Sequence, residues 1–167
     1  MSLVYFDSSV FLAIFNGEAS GSEIKSLLRE LRADHTKVTT SIITVQEVSV
    51  LSFRLGLSAN DNHSKVSKIA RIQSIDMNIA LTAAKLEANI VDRSIQSGIN
   101  ETMKARRKWD CFHLATAMVL QCTHLFTLDK GMLSCEELVE QSGLKLCEPK
   151  PVARQLFPLN SATTPIQ

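Results

Sequence analysis

Short β-prone runs alternate with helical text along nearly the whole chain, and that alternation is the strongest constraint on the fold. Leu3–Phe6, Lys37–Thr40, Arg71–Ile75, His124–Thr127 and Leu144–Cys147 read as strands. Helical text runs from Val10 to Phe15, Ser22 to Arg32, Thr44 to Leu57, Ser58 to Lys68, Asp76 to Ile95, Cys111 to Gln121 and Lys130 to Gln141. Ser8 and Ser9 offer caps for the first helix, and Ile24, Leu27, Leu28 and Leu31 share one face of the second. In the long helix capped by Asp76, Leu81, Ala84, Ala88, Val91 and Ile95 form one stripe. Ile99–Trp109 reads as a polar linker with a basic end. The alternation predicts an α/β fold, a three-layer α/β/α sandwich around a central, mainly parallel sheet of about five strands. Such sheets bind their ligands outside the carboxyl ends of the strands.

Four acids interrupt apolar text: Asp7 in "YFDSS", Glu47 in "ITVQEVSVL", Asp110 in "KWDCFHLATA" and Asp129 in "LFTLDKG". Each has a plain local reading. Asp7, Asp110 and Asp129 precede helical text and suit N-caps, and Glu47 suits a solvated helix position. Together they say more. Asp7 and Asp129 both follow a β-run, so parallel strands bring them to one edge. Asp110 opens a helix feeding the second of those strands, and Glu47 follows the Thr40–Ile43 segment by about a turn. Carboxylates gathered at one edge repel and call for a cation. An oxygen-rich set of this kind suits Mg²⁺ or Mn²⁺, which can activate water against a phosphodiester.

The remaining composition narrows the class. The chain has 167 residues and a formal net charge of +1, enough for one cored domain and too neutral for a global pull on polyanions. No run reaches the roughly 18 apolar residues of a membrane span. The first basic residue is Lys25 and Asp7 breaks the N-terminal apolar run, which argues against a signal peptide, so a cytoplasmic protein is expected. Cys111, Cys122, Cys135 and Cys147 form no CxxC pair and are expected as reduced core thiols.

The ordered acid set resembles the PIN-domain family, most of all its compact VapC-type toxin ribonucleases. The resemblance covers roughly Leu3 to Cys147. It implies catalytic and metal-binding roles for Asp7, Glu47, Asp110 and Asp129 around Mg²⁺ or Mn²⁺. Ser9 and Thr127 would support these ligands from behind. It implies an endoribonuclease that hydrolyses RNA phosphodiester bonds, a homodimer, and inhibition by a cognate antitoxin. Residues 1–148 are then expected as the PIN-like nuclease domain. Residues 149–167 hold all four prolines and are expected as an extended or disordered tail. The family often has an aromatic residue where this chain has Met132.

Other features fit around that reading. The basic run Lys104, Arg106, Arg107 and Lys108 directly precedes Asp110 and is a candidate lip for the RNA backbone. Lys65, Lys68 and Arg71 are a weaker cluster. His113, one turn after Asp110, is expected as a packed, hydrogen-bonded histidine, and Trp109 as core or rim packing. Two rival functions remain from the sequence: a non-catalytic RNA- or partner-binding module of the same fold, and an aspartyl-phosphate phosphotransfer domain. The second wants an acid two residues after Asp7, where Ser9 stands.

Overall fold

Leu3–Phe6 forms the central strand β1, and nearly everything else is arranged about it. The computed structural model describes residues 2–54, 56, 58, 60–95 and 101–151, with side chains described except at 51, 60, 91–95 and 101–107. Of the tail expected over residues 149–167, residues 152–167 lie outside the described residues. Strands β2 (Lys37–Ser41), β3 (Arg71–Gln73), β4 (His124–Phe126) and β5 (Lys145–Cys147) complete an all-parallel sheet in the order β3-β2-β1-β4-β5. β1 pairs with β2 on one side, Tyr5 opposite Thr39, and with β4 on the other, Phe6 opposite Phe126.

Alternation along β1 sends side chains to both faces. Val4 and Phe6, with Phe126, pack under α1 (Ser8–Phe15), α2 (Gly21–Ala33), α3 (Ile42–Arg54) and α4 (Asn60–Ser67). Tyr5 and Leu125 pack on the opposite face under α5 (Met77–Ile95), α6 (Glu101–Val119), α7 (Lys130–Leu133) and α8 (Glu136–Val139). These two cores make the α/β/α sandwich. They also explain why Leu3–Phe6 reads as an unbroken apolar run, since a parallel strand covered on both faces has no solvent side.

Three local expectations need correction. Residues 101–109 are not a linker: α6 starts at Glu101, so Asp110 lies inside a helix rather than opening one. Glu, Met, Lys, Ala and Arg are strong helix formers, and a helix can begin there without an apolar face. On α5 the buried stripe is Ile79, Ala83 and Leu86, while Leu81, Ala84 and Ala88 are exposed. The helix carries two apolar stripes, and the one facing α6 became core. The text from Lys130 to Gln141 breaks into α7, α8 and a 3₁₀ turn at Glu140–Ser142. At the first break Ser134 Oγ donates to the Gly131 carbonyl at 2.7 Å, an alternative to continued helix. Gly143, in the left-handed region at φ 74°, ends the turn.

The chain's order across the sheet fixes where a ligand can sit. From β1 it moves outward to β2 and β3, then returns to β4 and β5 on the other side. The crevice at such a reversal lies at the carboxyl ends of β1 and β4. No disulfide pairs the four cysteines with one another, and Cys111 and Cys122 are buried. Among the described residues no helix is long and apolar enough to cross a membrane. Leu125 on β4 is fully buried, so Leu125→Ala is expected to cost about 3 kcal/mol in urea unfolding. A loss below about 1 kcal/mol would contradict a tightly packed sheet centre.

Candidate functional site

Asp7 follows β1 directly, and its amide extends the ladder by donating to the Phe126 carbonyl at 3.0 Å. The residue is 3 % exposed, so its carboxylate needs donors. Asp7 Oδ2 accepts from the Ser9 amide at 3.3 Å, Ser9 Oγ at 2.7 Å and Thr127 Oγ1 at 2.8 Å. The hydroxyls are held in turn: Ser9 Oγ accepts from the Leu128 amide at 2.9 Å, and Thr127 Oγ1 from the Asp129 amide at 2.9 Å. Ser9 and Thr127 thus join the turn after β1 to the turn after β4. Asp7 is the N-cap of α1, with Ser8 and Ser9 in its first turn.

Asp129 caps α7. Its Oδ1 accepts from the Gly131 amide at 2.6 Å and the Met132 amide at 3.4 Å. A Cβ at Gly131 would stand 3.0 Å from that oxygen, so glycine allows the close approach. Met132 itself is buried in the core behind α7. Glu47, on α3, accepts a short hydrogen bond from Ser8 Oγ at Oε2, and His113 Nε2 lies 3.0 Å from the same oxygen. His113, fixed on α6 and 1 % exposed, also lies 2.6 Å from the Tyr5 hydroxyl through Nδ1. Asp110 stands one turn before it on the same helix, half-buried.

Carboxylate oxygens of Asp7 and Glu47 and a ring nitrogen of His113 all lie within 4.8 Å of one another. The chain matches the PIN domain family model over residues 4–137. It belongs to the PIN domain family. No curated protein matches it. Among solved structures it is similar to VapBC-1 from nontypeable Haemophilus influenzae, at 14% identity and a TM-score of 0.57, covering 88% of this chain and 98% of that one. A toxin–antitoxin complex from Klebsiella pneumoniae is similar at 18% identity and a TM-score of 0.54, covering 90% and 99%. VapBC2 from Rickettsia felis, bound to a promoter DNA fragment, gives 16% and 0.55, covering 87% and 98%. These likenesses show a shared PIN fold.

In this PIN domain the four acids named from the sequence do not all take the same position. Asp7 and Glu47 join His113 in the tight group, while Asp110 acts on His113 through charge and Asp129 acts on Asp110. Burial, then the charges of Asp129 and Asp7, push the Asp110 carboxyl up from its ordinary 3.8 to about 7. Glu47 adds to that rise and His113 opposes it. Burial also pushes Glu47 upward, but the hydrogen bond and charge of His113, with Ser8, outweigh it and leave Glu47 below its usual value. Burial opposes charge on His113, but Glu47, Asp7 and Asp110 raise it on balance. Burial and then Asp7 hold the Tyr5 hydroxyl well above its ordinary range.

The donor set fits a hard divalent cation. Asp7 Oδ1, Glu47 Oε1 and Asp129 Oδ2 take no hydrogen bond among the described residues. Burial first, and the charges of Asp129 and Asp7 next, disfavour the ionised Asp110 carboxyl, and a cation beside it would offset both. Of the basic run, Lys108 is exposed, and the side chains of Lys104, Arg106 and Arg107 lie outside the described residues. Trp109 is exposed and packs its ring near Phe112, a rim position. Sequence reasoning missed the site roles of Tyr5 and Ser8. The available signal was a tyrosine two residues before the buried acid, whose hydroxyl needs a partner.

Thr127→Val removes a donor from Asp7 and an acceptor from the Asp129 amide, so a loss of about 1–3 kcal/mol is expected in chemical denaturation. The Asp110 shift gives a pH prediction. A carboxyl raised in the folded state destabilises fully above its folded pKa, here about 7, and not at all below its unfolded value near 3.8. In the absence of divalent ions, Asp110→Asn is therefore expected to melt above wild type at pH 8. That advantage should shrink as pH falls from about 7 toward 4, and a pH-independent difference in melting temperature would contradict the assignment.

Proposed function

We propose that this PIN domain is a metal-dependent endoribonuclease that hydrolyses RNA phosphodiester bonds, the toxin of a toxin–antitoxin pair. The observation that carries the reading is the gathering of Asp7, Glu47, Asp110 and Asp129 at the crevice where the sheet order reverses. On this reading Asp7 Oδ1, Glu47 Oε1 and Asp129 Oδ2, with Asp110, hold Mg²⁺ or Mn²⁺. The bound ion would lower the pKa of water and offset charge on the phosphate.

The chain's own groups have distinct tasks in that scheme. Ser9 and Thr127 keep one oxygen of Asp7 occupied and turn the other toward the crevice. The Gly131 and Met132 amides occupy Oδ1 of Asp129 and leave its Oδ2 for a cation on this reading. With its carboxyl raised to about 7, Asp110 is part-protonated near neutral pH, and a cation held there would compete with that proton, so binding would tighten as pH rises through about 7. Lys104, Arg106, Arg107 and Lys108 are assigned to the RNA backbone, which makes binding weaken as salt rises. Ser9 donates to Asp7 where a phosphotransfer domain wants a second acid, which favours the nuclease reading. A cognate antitoxin is supported by the toxin–antitoxin complex among the similar structures. A homodimer and a cytoplasmic location complete the proposal, and exposed Phe53, Met77 and Leu81 supply apolar surface for a partner.

The test is RNA cleavage by wild type, Asp7→Asn and Asp110→Asn with Mg²⁺, with Mn²⁺ and with chelator. Wild type should cut only with metal, and each variant should lose on the order of 100-fold in rate. A folded wild type that cuts no RNA under any metal condition, or variants that cut as well as wild type, would sink the reading.

A further inference from the structure

His113 is the one nitrogen in an otherwise oxygen-lined group, and its role follows from where its protons are. A neutral Nε2 lone pair facing the crevice would make it a metal ligand and favour softer transition ions. An Nε2–H would make it a donor to Glu47 and leave an all-oxygen site.

The hydrogen bonds decide between these. The Ser41 amide lies 3.0 Å from the Tyr5 hydroxyl, and a backbone N–H can only donate. The Tyr5 oxygen accepts there and has its own proton to place. His113 Nδ1, at 2.6 Å, receives it. The nearby Thr40 hydroxyl is committed to the Phe6 carbonyl at 2.7 Å and to Thr44 Oγ1 at 2.7 Å. A neutral imidazole that accepts at Nδ1 carries its proton on Nε2, and an imidazolium carries one there as well. In both forms Nε2–H faces Glu47 Oε2 at 3.0 Å. Asp7 Oδ1 lies 3.6 Å from Nε2, too far for a hydrogen bond.

We propose that Ser41, Tyr5 and His113 form a fixed donor chain that positions Glu47, with His113 inside the carboxylate group as a donor and not as a metal ligand. The chain draws on β2, β1, α6 and α3, so the sheet itself sets the orientation of Glu47 and leaves its Oε1 for a cation. Tyr5 and His113 are positioning residues. The metal part of this inference rests on the nuclease reading above, and the proton assignment stands apart from it.

Three measurements test it on the full-length protein. Nitrogen-correlated NMR of the metal-free protein should show His113 protonated on Nε2, as neutral imidazole or as imidazolium. A neutral Nδ1–H tautomer overturns the proposal whatever the metal does. Pulsed EPR of the Mn²⁺-loaded wild type should show no nitrogen coupling of the size given by a directly bound imidazole. Such a coupling overturns the donor role while leaving the nuclease reading intact, whereas failure to bind Mn²⁺ at all overturns the metal reading and the Glu47 role with it. In Mn²⁺ titrations His113→Leu should weaken binding about 10- to 100-fold, and His113→Gln, which keeps an N–H but offers no imidazole, should restore most of it. A Gln variant no better than Leu counts against the proposal. If the Leu variant fails to fold, the two wild-type spectra still decide.

Discussion

A carboxylate withdrawn from water persists only where donors replace the lost hydration, and Asp7 sets that condition for the rest of this molecule. Its position at the end of the central strand brings the turns after β1 and β4 together, because Ser9 comes from one and Thr127 from the other. Those hydroxyls then fix Leu128 and Asp129 through backbone amides. The acid in the turn after β4 therefore takes its place from the solvation of the first. Removing Asp7 would leave Ser9 and Thr127 without their acceptor as well as removing a charge.

The opposite wall follows a different rule. Glu47 sits on a helix and is only partly buried, and its orientation comes from Ser8 and His113. His113 is oriented by Tyr5, which points to the face opposite Val4 and Phe6. The side chain of β1 that enters the α5–α6 core thus also reaches the site. Core packing and site geometry share one residue there, and neither can be altered alone.

Much of this was legible in the sequence, for identifiable reasons. Leu3–Phe6 announced a strand covered on both faces, and strand direction alone sent Asp7 and Asp129 to a common edge. Helix faces were less legible. Two apolar stripes on α5 competed, and only the packing of α6 against one of them selected Ile79, Ala83 and Leu86. The start of α6 was hidden because its first residues are polar, and polarity reads as linker when propensity is set aside. Tyr5 and Ser8 were hidden for another reason. Their bonds to His113 and Glu47 cross between elements far apart in the chain, and no local spacing records such a contact.

The hydroxyl bridge from Thr127 to Asp7 spans 120 positions of sequence. During synthesis the amino-terminal portion emerges long before β4 exists. Until then Asp7 lacks one of its side-chain donors, and β1 lacks the neighbour on one of its two edges. The crevice is therefore a late product of folding, closed only when the far end of the domain docks. An unfinished or truncated polypeptide would carry most of the acidic groups without holding them in register, so assembly itself delays whatever chemistry the finished crevice performs.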